Sequence, residues 1–272
     1  MTGAAATTAR EEVALRGVTK VFTDRKRGRE TTALSDVSLS IAKGQFVCLL
    51  GPSGCGKSTI LNLVAGFEQA NSGEVLLAGH SITGPGQDRG MVFQQPLLFP
   101  WLSVIDNITF GPRMASKRPD DYLLRAERYI QEMGLSGFEK HYPYELSGGM
   151  QQRVALARAW IGEPELFLMD EPFGALDAQT RLMMQELLMR VWEKSRTTVL
   201  FVTHDIDEAV FLADRIFIMT SRPGRIKESL KVDLARPRNY DTIILDERYV
   251  RLKQQILQVI RKETLQTIGL EL

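Results

Sequence analysis

The chain has 272 residues, 44% hydrophobic and 25% charged, the balance of an ordinary soluble globule rather than of a disordered segment. Its 34 Lys and Arg against 33 Asp and Glu leave a formal net charge of +1, which excludes the broad cationic field of a protein that coats nucleic acid. Apolar runs such as Phe46–Leu50 fall far short of the roughly 20 residues of a membrane span. Met1–Arg10 carries no hydrophobic segment of a secretory signal, and Cys48 and Cys55 cannot form a disulfide framework, so a soluble, cytoplasmic chain is expected.

At about 150 residues per domain, the length allows one large or two small units. Residues 13–23 alternate apolar and polar and predict an edge strand, and the charged stretch 24–30 predicts a solvated hairpin turn. Residues 39–41 and 45–50 predict two more strands, the second apolar enough to be buried in a sheet. Then comes Gly51-Pro52-Ser53-Gly54-Cys55-Gly56-Lys57-Ser58-Thr59, leading into a helix over 59–65 with Ile60, Leu61, Leu63 and Val64 at helical spacing and Gly66 as its stop. This is the P-loop pattern in the strand-to-helix setting it requires. Its glycines let backbone N–H groups converge on an anion at a helix N-terminus, Lys57 adds a mobile cation for the β- and γ-phosphates, and Ser58 offers a hydroxyl to Mg²⁺. Cys55 fills a position that the pattern leaves unrestricted.

Residues 70–90 alternate short apolar runs with Gly- and Pro-rich turns and predict a β-rich stretch. From 120 to 161 the pattern is helical, with Leu123, Leu124, Tyr129, Ile130 and Met133 on one side. Within it, Ser147-Gly148-Gly149 supplies an N-cap hydroxyl and exposed amides, a second helix terminus able to hold an anion. Residues 166–169 predict a buried strand ending in Asp170-Glu171-Pro172. Carboxylates there sit at the ligand-binding edge of a parallel sheet, Asp170 suited to Mg²⁺ and Glu171 to general-base work on water. Strands at 198–203 and 215–219 follow, and residues 249–260 place Val250, Leu252, Ile256, Leu257 and Ile260 near one helical face, either as cover for the core or as a docking helix. Strand–helix alternation in both halves implies a parallel α/β core interrupted by a helical insert.

The order of these segments resembles that of the ATP-binding cassette (ABC) ATPases, and Leu146-Ser147-Gly148-Gly149-Met150-Gln151-Gln152-Arg153 matches their signature in full. The resemblance implies a P-loop NTPase fold with a mixed core sheet, an antiparallel β subdomain and an α-helical insert. The cassette would span 10–230 with 95–163 inserted, followed by a partly helical extension over 231–272. It implies that Phe22 stacks on adenine, that Gly51, Ser53, Gly54, Gly56, Lys57, Ser58 and Thr59 cradle the phosphates of ATP, and that Mg²⁺ is held by Ser58, Gln94 and Asp170. Glu171, His204 and Gln94 would be the catalytic set, His204 ordering Glu171 and touching the γ-phosphate. Asp177, in Ala175-Leu176-Asp177, matches the family's D-loop and joins the nucleotide-binding set. Two copies, identical or sibling, would sandwich each nucleotide between one P-loop and the other copy's Ser147–Gly149.

Soluble nucleic-acid ABC ATPases carry a long coiled-coil insertion, and translation factors carry two cassettes. With neither in 272 residues and one P-loop, a detached transporter motor is expected, with transmembrane permease subunits as partners, a solute-binding protein acting indirectly, and no nucleic acid. Gln94 to Trp101 resembles the importer segment against which a permease helix docks, and places the chain peripherally on the cytoplasmic face of the membrane. The apolar stretch Phe99-Pro100-Trp101-Leu102 either meets that helix or packs inside the helical insert. Residues 93–101, 221–226 and 236–238 are similar to the nitrate, sulfonate, taurine and bicarbonate importers. Motors for thiamine precursors or other small organic solutes are the alternative.

Overall fold

The computed structural model describes residues 11–24 and 28–267. In chain order, β1 (Glu11–Asp24) and β2 (Arg29–Ala42) lead into β3 (Phe46–Leu50), α1 (Lys57–Ala65), β4 (Ser72–Leu77), β5 (His80–Ser81) and β6 (Arg89–Val92). A helical segment of α2 (Val104–Met114), α3 (Pro119–Glu132) and α4 (Gly148–Trp160) follows, then β7 (Leu166–Asp170), α5 (Ala178–Ser195), β8 (Thr198–Thr203) and α6 (Ile206–Leu212). The chain continues through β9 (Arg215–Met219), β10 (Ile226–Lys231), α7 (Tyr240–Ile243) and α8 (Glu247–Thr267).

The central sheet runs β10-β9-β3-β8-β7-β6, parallel throughout except that β10 pairs antiparallel with β9. Because side chains alternate across a strand, β3 sends Phe46, Cys48 and Leu50 into one core and Val47 and Leu49 into another. Covered on both faces, it reads as an unbroken apolar run. The first core continues into α4, α5 and α6, where Trp160 packs on Phe167 with ring centroids 4.4 Å apart. The second joins α1 to the antiparallel sheet β2-β1-β4-β5 through residues such as Leu15, Val37, Ile41 and Leu61. Among the described residues no helix is long and apolar enough to cross a membrane.

Several expectations change. β1 is not an edge strand; it lies between β2 and β4, because alternation reports a half-buried face and says nothing about sheet position. The expected helix over 120–161 breaks after α3. Gly134 (φ +63°) takes the left-handed turn, and the Leu135 amide bonds to the Ile130 carbonyl at 2.8 Å. The buried stripe on α3 is Tyr122, Ala126, Tyr129 and Ile130, with Met133 just beyond, whereas Leu123 and Leu124 are 41% and 76% exposed. α2 lies inside the helical insert expected over 95–163, but the residue pattern did not single it out, since the Gly111-Pro112 pair within it reads as a breaker. Nor was β10, whose single buried residue is Leu230.

The tail helix α8 is core cover: Tyr249 and Ile256 are buried and Leu252 and Ile260 pack beside them, but Val250 and Leu257 face away. Two arginines seat the approach to it. Arg236 donates to Asp214 Oδ1 at 2.7 Å and to the Leu212 carbonyl at 2.6 Å, and Arg238 donates to the carbonyls of Phe211 and Ala213, both at 2.8 Å.

Candidate functional site

β3 ends at Leu50 and the chain turns at once into a loop that only glycines can build. Gly54 and Gly56 have φ of +75° and +100°, and a Cβ on Gly56 would lie 2.6 Å from Leu34 Cδ2. Cys55 is buried in the second core and burial pushes its thiol pKa up, as it does more strongly for Cys48, so both are inert packing residues. The loop aims the N-terminus of α1 outward. The buried Lys57 amine donates to the Gly51 carbonyl at 2.8 Å and the Pro52 carbonyl at 3.1 Å, which hold it across the loop's mouth.

Parallel pairing of β3 with β8, and of β8 with β7, brings the carboxyl ends of these strands together. Ser58 Oγ donates to Asp170 Oδ1 at 3.2 Å. Burial pushes the Asp170 carboxyl up, with the Ser58 hydrogen bond opposing, the environment of a carboxylate that a cation would favour ionised. No group of three or more His, Cys, Asp or Glu able to hold a metal occurs among the described residues.

Glu171 stands in the left-handed region (φ +44°), a costly conformation for a residue with a side chain, pinned by its amide to the Val202 carbonyl at 3.0 Å. One carboxylate oxygen lies 2.9 Å from His204 Nδ1 and the other 3.9 Å from Lys57 Nζ. Gln94 reaches the turn after Glu171: a Cβ on Gly174 would meet its Nε2 at 3.3 Å. Phe22, Ser53, Gly54, Gly56, Lys57, Ser58, Thr59 and Glu171 line one cleft of about 290 Å³, with Phe22 at the end of the β1–β2 hairpin and its ring 4.8 Å from Lys20 Nζ.

Ser147, Gly148, Gly149 and Asp177 do not line this cleft. Ser147 caps α4, accepting from the Met150 amide at 3.3 Å, and Asp177 caps α5, accepting from the Thr180 amide at 3.0 Å. The two caps are neighbours, since a Cβ on Gly149 would lie 2.9 Å from Thr180 Cγ2. Backbone and side-chain bonds from Thr180 hold the exposed Asp177 carboxyl below its ordinary range.

Three features escaped the sequence reading. Arg158 on α4 donates to the carbonyls of Pro96 and Leu97 at 3.0 and 2.8 Å, and Gln152 donates to the Phe93 carbonyl at 3.4 Å, so the helix that Ser147 opens is bonded on both sides of Gln94. Beside His204, the buried Glu208 accepts from Thr203 Oγ1 and from Gln185 Nε2, and burial pushes its carboxyl up to about 7. Arg222 lines the cleft itself and donates from Nε to the Gly54 carbonyl at 2.9 Å. Beyond the cleft, Phe99 packs on Phe110 with ring centroids 4.4 Å apart, while Trp101 is 71% exposed, so the apolar stretch is divided between the insert and the surface.

Residues 34–174 match the family model described as ABC transporter. The chain is 46% identical over 223 residues to the taurine import ATP-binding protein TauB of Jannaschia sp. strain CCS1, covering 82% of this chain and 83% of that protein. It is 43% identical over 246 residues to the aliphatic sulfonates import ATP-binding protein SsuB of Bacillus cereus, covering 90% and 94%. Among solved structures it is similar to the dimeric post-hydrolysis state of an ATP-binding cassette bound to ADP and Pi, with a TM-score of 0.71 and 33% identity over 82% of this chain and all of that one.

Proposed function

The chain belongs to the family of ABC transporter ATP-binding proteins, ATPases coupled to transport, and on that premise we propose that it is the motor of an importer for small anions of the taurine and sulfonate type. The observation that carries the reading is the position of Glu171, gripped between His204 Nδ1 and the Lys57 ammonium at the mouth of the phosphate loop. The cargo assignment is supported by TauB and SsuB; nitrate and bicarbonate belong to the same chemical class of small anions.

Phe22 stacks on the adenine of ATP, and the amides of Gly54–Ser58 with Lys57 take the phosphate chain. Lys57 exchanges the Gly51 and Pro52 carbonyls for the β- and γ-phosphate oxygens. Ser58 and Asp170, with Gln94, would hold Mg²⁺, which on binding adds charge neutralisation at the β- and γ-oxygens. Glu171 takes a proton from water, the water oxygen forms a bond to the γ-phosphorus, and the bond to the bridging oxygen breaks to leave ADP and phosphate. His204 orients Glu171 and donates toward the γ-phosphate.

Ser147, Gly148, Gly149 and Asp177 act on the nucleotide of a second copy. A tetra-anionic nucleotide is better neutralised by two helix N-termini than by one. Binding closes the pair of copies and hydrolysis reopens it. The Gln94–Trp101 segment meets the permease at the cytoplasmic face of the membrane, and the bonds from Gln152 and Arg158 carry its displacement into α4. The test is reconstitution with the permease in vesicles: ATP hydrolysis should rise when a taurine- or sulfonate-loaded binding protein is added, and a rate indifferent to it would overturn the importer reading.

A further inference from the structure

The turn between β9 and β10 is sewn onto the phosphate loop. Thr220 closes it, its amide bonded to the Arg225 carbonyl at 3.0 Å and its hydroxyl to the Pro223 carbonyl at 3.1 Å. Gly224 joins it to β2 through its amide to the Ala33 carbonyl at 2.9 Å, and through its carbonyl from the Ser35 amide at 3.0 Å. A Cβ on Gly224 would lie 2.0 Å from the Cys55 carbonyl oxygen, so the turn rests directly against the loop's backbone. None of these bonds uses the Arg222 side chain.

That side chain instead lies over Gly54. A Cβ there would sit 3.3 Å from Nη2 and 3.7 Å from Cζ, so the missing side chain of Gly54 makes room for the guanidinium. Nε donates to the Gly54 carbonyl at 2.9 Å, and no carboxylate among the described residues pairs with Arg222. The group is exposed and lines the same cleft as Lys57, Ser58 and Thr59. A guanidinium anchored at one nitrogen, without an acidic partner and beside an anion cradle, presents its two terminal nitrogens for bidentate contact with phosphate oxygens.

We infer that Arg222 is a further nucleotide-binding residue, a second cation beside Lys57 that contacts the phosphate chain of ATP and ADP. The inference rests on the nucleotide-site reading above and adds to it the residue that the β9–β10 turn delivers. Removing a charge-assisted bond of this kind weakens binding about tenfold to a hundredfold.

The test is calorimetric titration of the full chain with ADP at low and moderate salt, using the parent, Arg222→Gln, Arg222→Lys and Lys57→Ala. Arg222→Gln should weaken ADP binding about tenfold or more and flatten its salt dependence, Arg222→Lys should restore the salt dependence but only part of the affinity because a lone ammonium cannot make the bidentate contact, and the melting temperature without nucleotide should stay at the parent's. Parental affinity in Arg222→Gln, or a salt dependence as flat in Arg222→Lys as in Arg222→Gln, would overturn the inference. A parent that binds no ADP would overturn the nucleotide site as a whole, whereas loss in Lys57→Ala alone would leave that site standing without Arg222.

Discussion

The imidazole Nδ1 of His204 lies 2.9 Å from Glu171 Oε2, joining the ends of two strands, β7 and β8, that are neighbours in the sheet but 33 residues apart in the chain. The second oxygen of that carboxylate lies 3.9 Å from Lys57 Nζ, at the mouth of the Gly51–Thr59 loop. Replacing Glu171 with Gln keeps the shape and removes the group proposed as the base. Turnover should fall by about 10²–10⁴-fold while ATP affinity stays within a few-fold of the parent's. Single-turnover hydrolysis and equilibrium binding of the same variant check this.

Lys57→Ala should do the reverse, weakening nucleotide binding itself by about tenfold or more, since it removes the mobile cation and leaves the carbonyls of Gly51 and Pro52 without their donor. Titration with ADP reads this without any contribution from hydrolysis.

Glu208 gives the fold a pH dependence of known sign. Its carboxyl is pushed up to about 7 by burial, with the hydrogen bonds from Thr203 and Gln185 opposing. An unfolded Glu titrates near 4.3. Between those values the folded chain keeps a proton that the unfolded chain has lost, so the stabilising effect of the neutral carboxyl is complete below about 4.3 and gone once the pH has risen through about 7. Glu208→Gln replaces the titrating carboxyl with an amide that stays neutral, so its melting temperature relative to the parent's should climb from pH 6 to pH 8. Parallel melting curves for the two proteins would contradict this.

The tail helix offers a packing test. Ile256 is buried against the first core, and its replacement by Ala should cost about 2–5 kcal/mol and lower the melting temperature by several degrees. Leu257, one residue on, is 46% exposed, and the same replacement there should cost less than about 0.5 kcal/mol. Thermal unfolding of the two variants side by side separates a helix that covers the core from one that only trails along it.

What could be read from the sequence was what consecutive residues dictate. The Gly51–Thr59 pattern is a local backbone constraint, and so is the cap at Ser147. Glu171 and His204 were legible only in the company of that pattern, because an acid or a histidine at a strand end has many ordinary uses. What escaped depends on chain segments meeting from afar: the place of β1 between β2 and β4, and the contact between Arg222 and Gly54, 168 residues apart. Local signals also misled. Leu123 and Leu124 outrank Tyr122 and Ala126 in hydrophobicity, yet the phase of α3 is set by what it packs against. Gly111-Pro112 hid α2 because the pair reads as a breaker, and the helix carries it only near its end, closing two residues later at Met114.

The account turns on a nucleotide held jointly by two chains, and the molar mass of Glu171→Gln with saturating ATP, measured by sedimentation or light scattering, tests it most directly. The mass should double on adding ATP, return to the single-chain value when ATP is removed, and fail to double when Ser147→Arg is combined with Glu171→Gln. A Glu171→Gln chain that binds ATP and stays a monomer, or a dimer unaffected by Ser147→Arg, would contradict it.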